Sequence, residues 1–217
     1  MTEMITHPKL LFDASAIDRI RRNIETYDWA RRLFEKLKHA VDGGEECFTS
    51  GAGRFTLTRP PAELSAFPDE GMTRGAEGVQ KSRLSEMAMV GVLSGDRRYA
   101  QRVRDLLVVV VAEVLPRGND LTQLPQLFTW AFCQDALDLL VAYDLTCNEP
   151  VWNDGDREKV EDGFKAVMAL VLEEPTARHL CNTGFYYQIY KVGCGCFFGR
   201  QDWIDEGLAG RAGFFDA

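Results

Sequence analysis

The sequence predicts an all-α protein made of antiparallel helical hairpins that form an incomplete α/α toroid. Apolar residues recur at helical spacing in one segment after another, and no segment reads convincingly as a strand. Short turns rich in glycine, proline and acidic residues separate these segments, giving a helix–loop–helix rhythm. Neighbouring helices joined in this way pack most economically as antiparallel pairs. There is no fixed-period repeat of the kind that marks TPR or HEAT arrays, so a toroid ranks ahead of a plain bundle or a solenoid.

Residues 7–12, His-Pro-Lys-Leu-Leu-Phe, read as an extended lead-in, because a residue before proline disfavours helix. Asp13 then caps a helix carrying the stripe Ile17, Ile20, Ile24, with Arg19, Arg21 and Arg22 toward water. Asp28 caps the next, in which Trp29, Leu33, Leu37 and Ala40 point inward, widened by Phe34 and Val41; His39 falls on its charged side. Residues 43–80 hold seven glycines and three prolines and read as a long irregular loop. Arg54, Arg59 and Arg74 lie in it with Phe55 and Phe67, a combination able to line a groove for an acidic sugar chain as well as to form a solvated linker.

Helices resume at Ser82 with the stripe Leu84, Met87, Ala88, Val90, Gly91, and Ser94-Gly95 ends that run. Asp96 caps the next helix, with Tyr99, Val103, Leu106, Leu107 and Val110 inward. The valine run 108–111 has strand propensity, but the surrounding period is helical. A helix within residues 121–145 carries Phe128, Phe132, Ala136, Leu139, Leu140 and Tyr143, and another over residues 156–172 carries Val160, Phe164, Val167, Met168 and Val171.

The stretch from His179 to Gly199 organises the rest. It opens on a polar turn, Asn182-Thr183-Gly184, and continues as an aromatic, small-residue helix that is apolar nearly all round, which marks a buried helix. A helix N-terminus presents free N–H groups and partial positive charge, which suits an anion. His179, Asn182, Thr183, Tyr186, Tyr187, Gln188 and Tyr190 form the richest polar–aromatic cluster in the chain. Such a cluster can hold a sugar by stacking and amide hydrogen bonds, or it can be core aromatics with satisfied hydroxyls.

At 217 residues the chain suits one core and one domain. A net charge of −8 argues against general nucleic-acid or acidic-membrane binding. The longest wholly apolar run, Leu106 to Ala112, is too short to span a bilayer, and the first residues lack the layout of a signal peptide, so a cytoplasmic or periplasmic location is expected. The six cysteines fit no zinc-ribbon or CxxC spacing, which favours reduced, buried thiols over a metal or redox site joining Cys181 to Cys194 or Cys196. No metal and no cofactor is expected.

Four pieces in order resemble the N-terminal helical domain of polysaccharide lyases of the heparinase II/III-like and alginate-lyase kind. They are HPKLLFD at 7–13, LSGDRRYAQRVRDLL at 93–107, LLVAYDL at 139–145 followed by DREKVEDGF at 156–164, and NTGFYYQIYKVGCGCFFGRQDWIDEGL at 182–208. The resemblance implies β-elimination on a uronate-containing acidic polysaccharide. The C5 proton is poorly acidic, so an amide or arginine must neutralise the adjacent carboxylate while a Tyr or His takes the proton. Carried over by position, Asn182 is the neutralising amide, Gly184 keeps the turn open and Tyr187 lines the site, with His179 a candidate base. Thr183, Tyr186, Gln188, Tyr190 and Arg74 are the candidate substrate contacts. Thr183 stands where the family has histidine, and threonine is no base near neutral pH; Gln188 stands where Asp or Asn is common. The family's catalytic tyrosine belongs to a later motif, so the chain is expected to be the N-terminal part of a longer lyase-like protein, or a reduced relative that binds carbohydrate or serves as a scaffold without turnover. A glycoside hydrolase on the same fold needs two carboxylates across a cleft, for which Asp135, Asp138 and Asp144 are the candidates. Self-association into a homo-oligomer is a further expectation, from an apolar edge left uncovered.

Overall fold

Eight α-helices make up almost all of the residues that the computed structural model describes, which are 6–43, 82–109, 111, 128–173 and 182–209. They are α1 (Ala14–Thr26), α2 (Asp28–Gly43), α3 (Ser82–Ser94), α4 (Arg97–Val109), α5 (Phe128–Thr146), α6 (Asp154–Glu173), α7 (Asn182–Phe198) and α8 (Gln201–Ala209). The protein is all-α over this range, as the periodicity predicts. The expected loop at 43–80 lies outside the described residues except for Gly43, which closes α2.

The helix ends follow from local chemistry. Asp13 accepts from the Ala16 N–H at 2.7 Å, and this bond, with a second from Ser15, holds its carboxyl below the usual range. The Asn153 side chain receives the Asp156 N–H at 2.9 Å ahead of α6. Asp96 receives the Arg98 N–H at 3.0 Å at the head of α4. Gly95 and Gly199 follow α3 and α7 at φ 72° and 66°, a conformation that a Cβ disfavours.

Within the helices, α3 packs on α5 and α5 on α7; α4 lies against α3, α5 and α6, and α6 against α7. α1 and α2 pack on each other and on α3, and α8 packs on α7. The core runs through this stack: Leu84, Met87 and Val90 of α3, Val103 and Leu107 of α4, Leu139, Leu140 and Tyr143 of α5, Phe164 and Met168 of α6, and Tyr187, Tyr190, Cys194 and Phe197 of α7. Burying each large apolar side chain contributes about 1.5–3 kcal/mol. Two glycines allow close backbone approach. A Cβ on Gly163 would stand 2.5 Å from the Val111 carbonyl oxygen, and one on Gly195 would stand 2.8 Å from the Ile204 amide nitrogen.

Three expectations are corrected. Trp29 and Leu33 are 60% and 55% exposed, because α2 turns Ala30, Leu37, Ala40 and Val41 inward instead. Arg21 is partly exposed but not free in water: its guanidinium donates to the Val92 carbonyl at 2.5 Å and 3.2 Å, tying α1 to α3. Tyr27, not Asp28, precedes α2, since its carbonyl accepts the Arg31 N–H. Asp42, near the end of α2, links outward to α4 by accepting from the Tyr99 hydroxyl at 2.5 Å, while Lys38 ion-pairs with it.

Candidate functional site at the head of α7

α7 begins at Asn182, so the polar turn of the sequence forms the helix's first turn. That turn has amide N–H groups without an intrahelical acceptor, and they give this end its partial positive charge. Asn182 and Thr183 are its first two residues. Gly184 is buried, Phe185 is 50% exposed, and Tyr186 is half-buried with its ring edge-on to Phe185 at 6.0 Å. This end of the helix therefore joins an amide-bearing residue, a hydroxyl-bearing residue and two aromatic rings.

The rest of the predicted cluster turns inward. Tyr187 and Gln188 are each 2% exposed and Tyr190 is fully buried, its hydroxyl donating to the Phe164 carbonyl of α6 at 3.2 Å. Tyr187, Tyr190, Cys194 and Phe197 lie at i, i+3, i+7 and i+10, the core stripe of this helix. That spacing was the available signal that separates Tyr186 from its two neighbours in type. His179 and Arg74 lie outside the described residues. Phe185 is the aromatic that the sequence reading passed over.

The far end of α7 holds a polar constellation that the sequence reading missed. Asp144, near the end of α5, is 1% exposed. Its Oδ1 lies 2.6 Å from Nδ1 of His7, and its Oδ2 accepts from the backbone N–H groups of Lys9 and Leu10, each at 2.8 Å. The His7 ring packs on Phe197 at 4.4 Å, and the Asn148 amide donates to the His7 carbonyl at 2.7 Å. Both oxygens of Asp144 are thus engaged in holding the N-terminal lead-in, so this carboxylate is not available for acid–base work on a glycosidic bond. The signal for it was the single acid within the apolar run LLVAYDL.

Lys191 is 2% exposed and reaches Glu206 of α8 at 3.3 Å, fastening α8 to α7. Burial pushes the Cys147 and Cys194 thiols up to about 12, so both stay protonated at neutral pH. Cys194 is thus a poor metal or redox partner, and Cys181 lies outside the described residues. Among the described residues no group of three or more His, Cys, Asp or Glu is arranged to hold a metal ion, and no helix is long and apolar enough to cross a membrane.

A scan against known protein families finds no match to this chain, and a search of curated proteins finds none.

Proposed function

We propose that this chain is the helical domain of a polysaccharide lyase that cleaves a uronate-containing acidic polysaccharide by β-elimination, with substrate bound at the head of α7. The observation that carries this reading is that α7 starts at Asn182, which sets an amide residue at a helix N-terminus, whose partial positive charge suits a uronate carboxylate. In the proposed chemistry the Asn182 amide and the helix terminus draw charge from the carboxylate as the C5 proton leaves. The exposed Phe185 and half-buried Tyr186 offer ring faces to the sugar. His179, three residues upstream, is the proposed base in place of the histidine that Thr183 replaces, and a tyrosine hydroxyl of the later motif that the resemblance implies protonates the leaving O4 as the C4–O4 bond breaks. Tyr187, Gln188 and Tyr190 act from beneath, fixing the helix rather than touching substrate.

The packing supports an α/α toroid as the frame of this site. His7 reaches both Asp144, near the end of α5, and Phe197, near the end of α7, which supports a common direction for these two neighbouring helices. Gly195 approaches Ile204, and Gly207 approaches Gln188 and Val192, contacts that support an antiparallel α7–α8 hairpin. Parallel inner helices with antiparallel outer returns are the arrangement a toroid requires.

A lyase leaves a C4=C5 double bond that absorbs in the ultraviolet. The test is absorbance growth on a panel of acidic polysaccharides, with Asn182→Ala as the matched variant. The reading requires growth with the native chain and its loss in Asn182→Ala at unchanged helicity. Unchanged turnover in the variant removes Asn182 from the mechanism. A second reading, a carbohydrate-binding or scaffold protein without turnover, is favoured by the inward-facing Tyr187 and Tyr190 together with Thr183 in place of histidine. It predicts saturable oligouronate binding with no double bond formed.

A further inference from the structure

Six large apolar side chains stand exposed among the described residues, and four of them gather on one face: Leu11 at 56%, Tyr27 at 49%, Trp29 at 60% and Leu33 at 55%. Leu11, Trp29 and Leu33 border a groove of about 410 Å³ between α1, α2 and α3, walled further by Ile20, Phe34 and Met89. Tyr27 stacks on Trp29 at 6.2 Å and extends the same face. Scattered single apolar residues are ordinary on a protein surface, whereas a contiguous patch around a groove marks an interface.

We propose that this face pairs with the same face of a second copy of the chain, about a twofold axis that sets the two α2 helices antiparallel. A twofold interface requires one patch to be complementary to itself. Here Trp29 and Leu33 project at the rim of the groove that the same helix helps to wall, so each copy offers a ridge and a hollow. The charge balance fits the same pairing. The whole chain carries −8, but α1 and α2 together hold seven basic and five acidic side chains, a net +2. Both signs are therefore present on these two helices for cross-pairing between copies, whereas the rest of the chain is strongly acidic. On α2, Asp28 and Arg32 are one turn apart on the flank beside Trp29 and Leu33. Antiparallel pairing across the buried Ala30 sets Asp28 against the partner's Arg32, and Arg32 against the partner's Asp28. It also brings Leu33 over the partner's Tyr27 and Trp29. Asp28 already lies 3.3 Å from Arg31, but that contact is between exposed groups and yields easily to a new partner.

Sedimentation of the full chain across a wide concentration range tests the pairing. The expected result is a concentration-dependent species at twice 24.4 kDa. Trp29→Glu with Leu33→Glu must return the chain to monomer with unchanged circular dichroism, because both side chains are already exposed. Asp28→Arg and Arg32→Asp, each alone, are expected to weaken the dimer about threefold to tenfold, and the two together to restore it. A monomer at every concentration overturns the proposal and leaves the groove to the rest of the chain or to a different protein. A dimer indifferent to Trp29→Glu with Leu33→Glu overturns it too, as does a double reversal no tighter than its single changes.

Discussion

The two ends of α7 are built from similar residue types and do different work. Its first turns carry Asn182, Thr183, an exposed Phe185 and a half-buried Tyr186. Its last turns carry Phe197, packed under His7, whose imidazole meets the buried Asp144. The first end has an exposed ring, Phe185, and a half-buried one, Tyr186, near the surface. Polar atoms at the second end are spent on the chain itself. A helix of this length, about 25 Å, keeps the two ends apart, so one can be altered without the other.

Asp144→Ala is the harshest way to break that contrast. It removes the acceptor for three donors at a site closed to water, and unfolding in urea should show a loss of about 3 kcal/mol. Asn182→Ala, at the other end, should change stability by less than about 1 kcal/mol while removing turnover. If the two variants are equally destabilising, the division between a working end and a fastening end fails. Gly195→Ala comes next. The new methyl meets backbone atoms of Arg200 and Ile204 at the α7–α8 junction, which cannot yield as a side-chain tip can, for a loss of about 1–3 kcal/mol. Thermal unfolding measures it directly.

Tyr190→Phe and Tyr186→Phe sharpen the comparison within one helix. The first deletes the buried hydroxyl bonded to the Phe164 carbonyl and should cost about 1 kcal/mol in stability, with sugar affinity unchanged. The second should change stability less than the first and weaken oligouronate binding in calorimetry. The smallest effect belongs to neither end. The Arg98 side chain, then the Arg98 N–H, hold the half-buried Asp96 carboxyl at about 2, below its usual value of 3.8. A depressed carboxylate stabilises the fold above the unfolded value, and that contribution fades as pH falls from about 4 toward 2. Asp96→Asn should flatten a slight slope in melting temperature over that window only.

Much of the helical layout was legible in the sequence because it rests on short-range rules. The caps at Asp13 and Asp96, the stop at Gly95, and the stripes of α3, α4 and α6 all follow from neighbours a few positions apart. The same rules misplaced Trp29 and Leu33. A stripe shows that a helix has an apolar face, but not how much of that face its neighbours cover. They missed the Asp144 constellation for the opposite reason, since its donors come from the far end of the chain. At the candidate site, Asn182 at a helix start was legible as a turn residue. The inward turn of Tyr187 and Tyr190 was readable too, from their spacing with Cys194 and Phe197, had period been given more weight than residue type.

The Asp144 contacts also bear on how the chain comes to be folded. His7 and Asp144 are 137 residues apart, so this bond closes a loop of well over half the molecule. The length-dependent part of that closure alone costs roughly 4 kcal/mol in chain entropy, which favours making the contact only after the intervening helices have condensed. The lead-in at residues 7–12 is made well before α5 and lacks its Asp144 acceptor until α5 is complete. It is therefore made early relative to its partner and settles late. Until then Leu10 and Phe12 stay uncovered, which makes the half-made chain, more than the finished one, the form most in need of protection from aggregation.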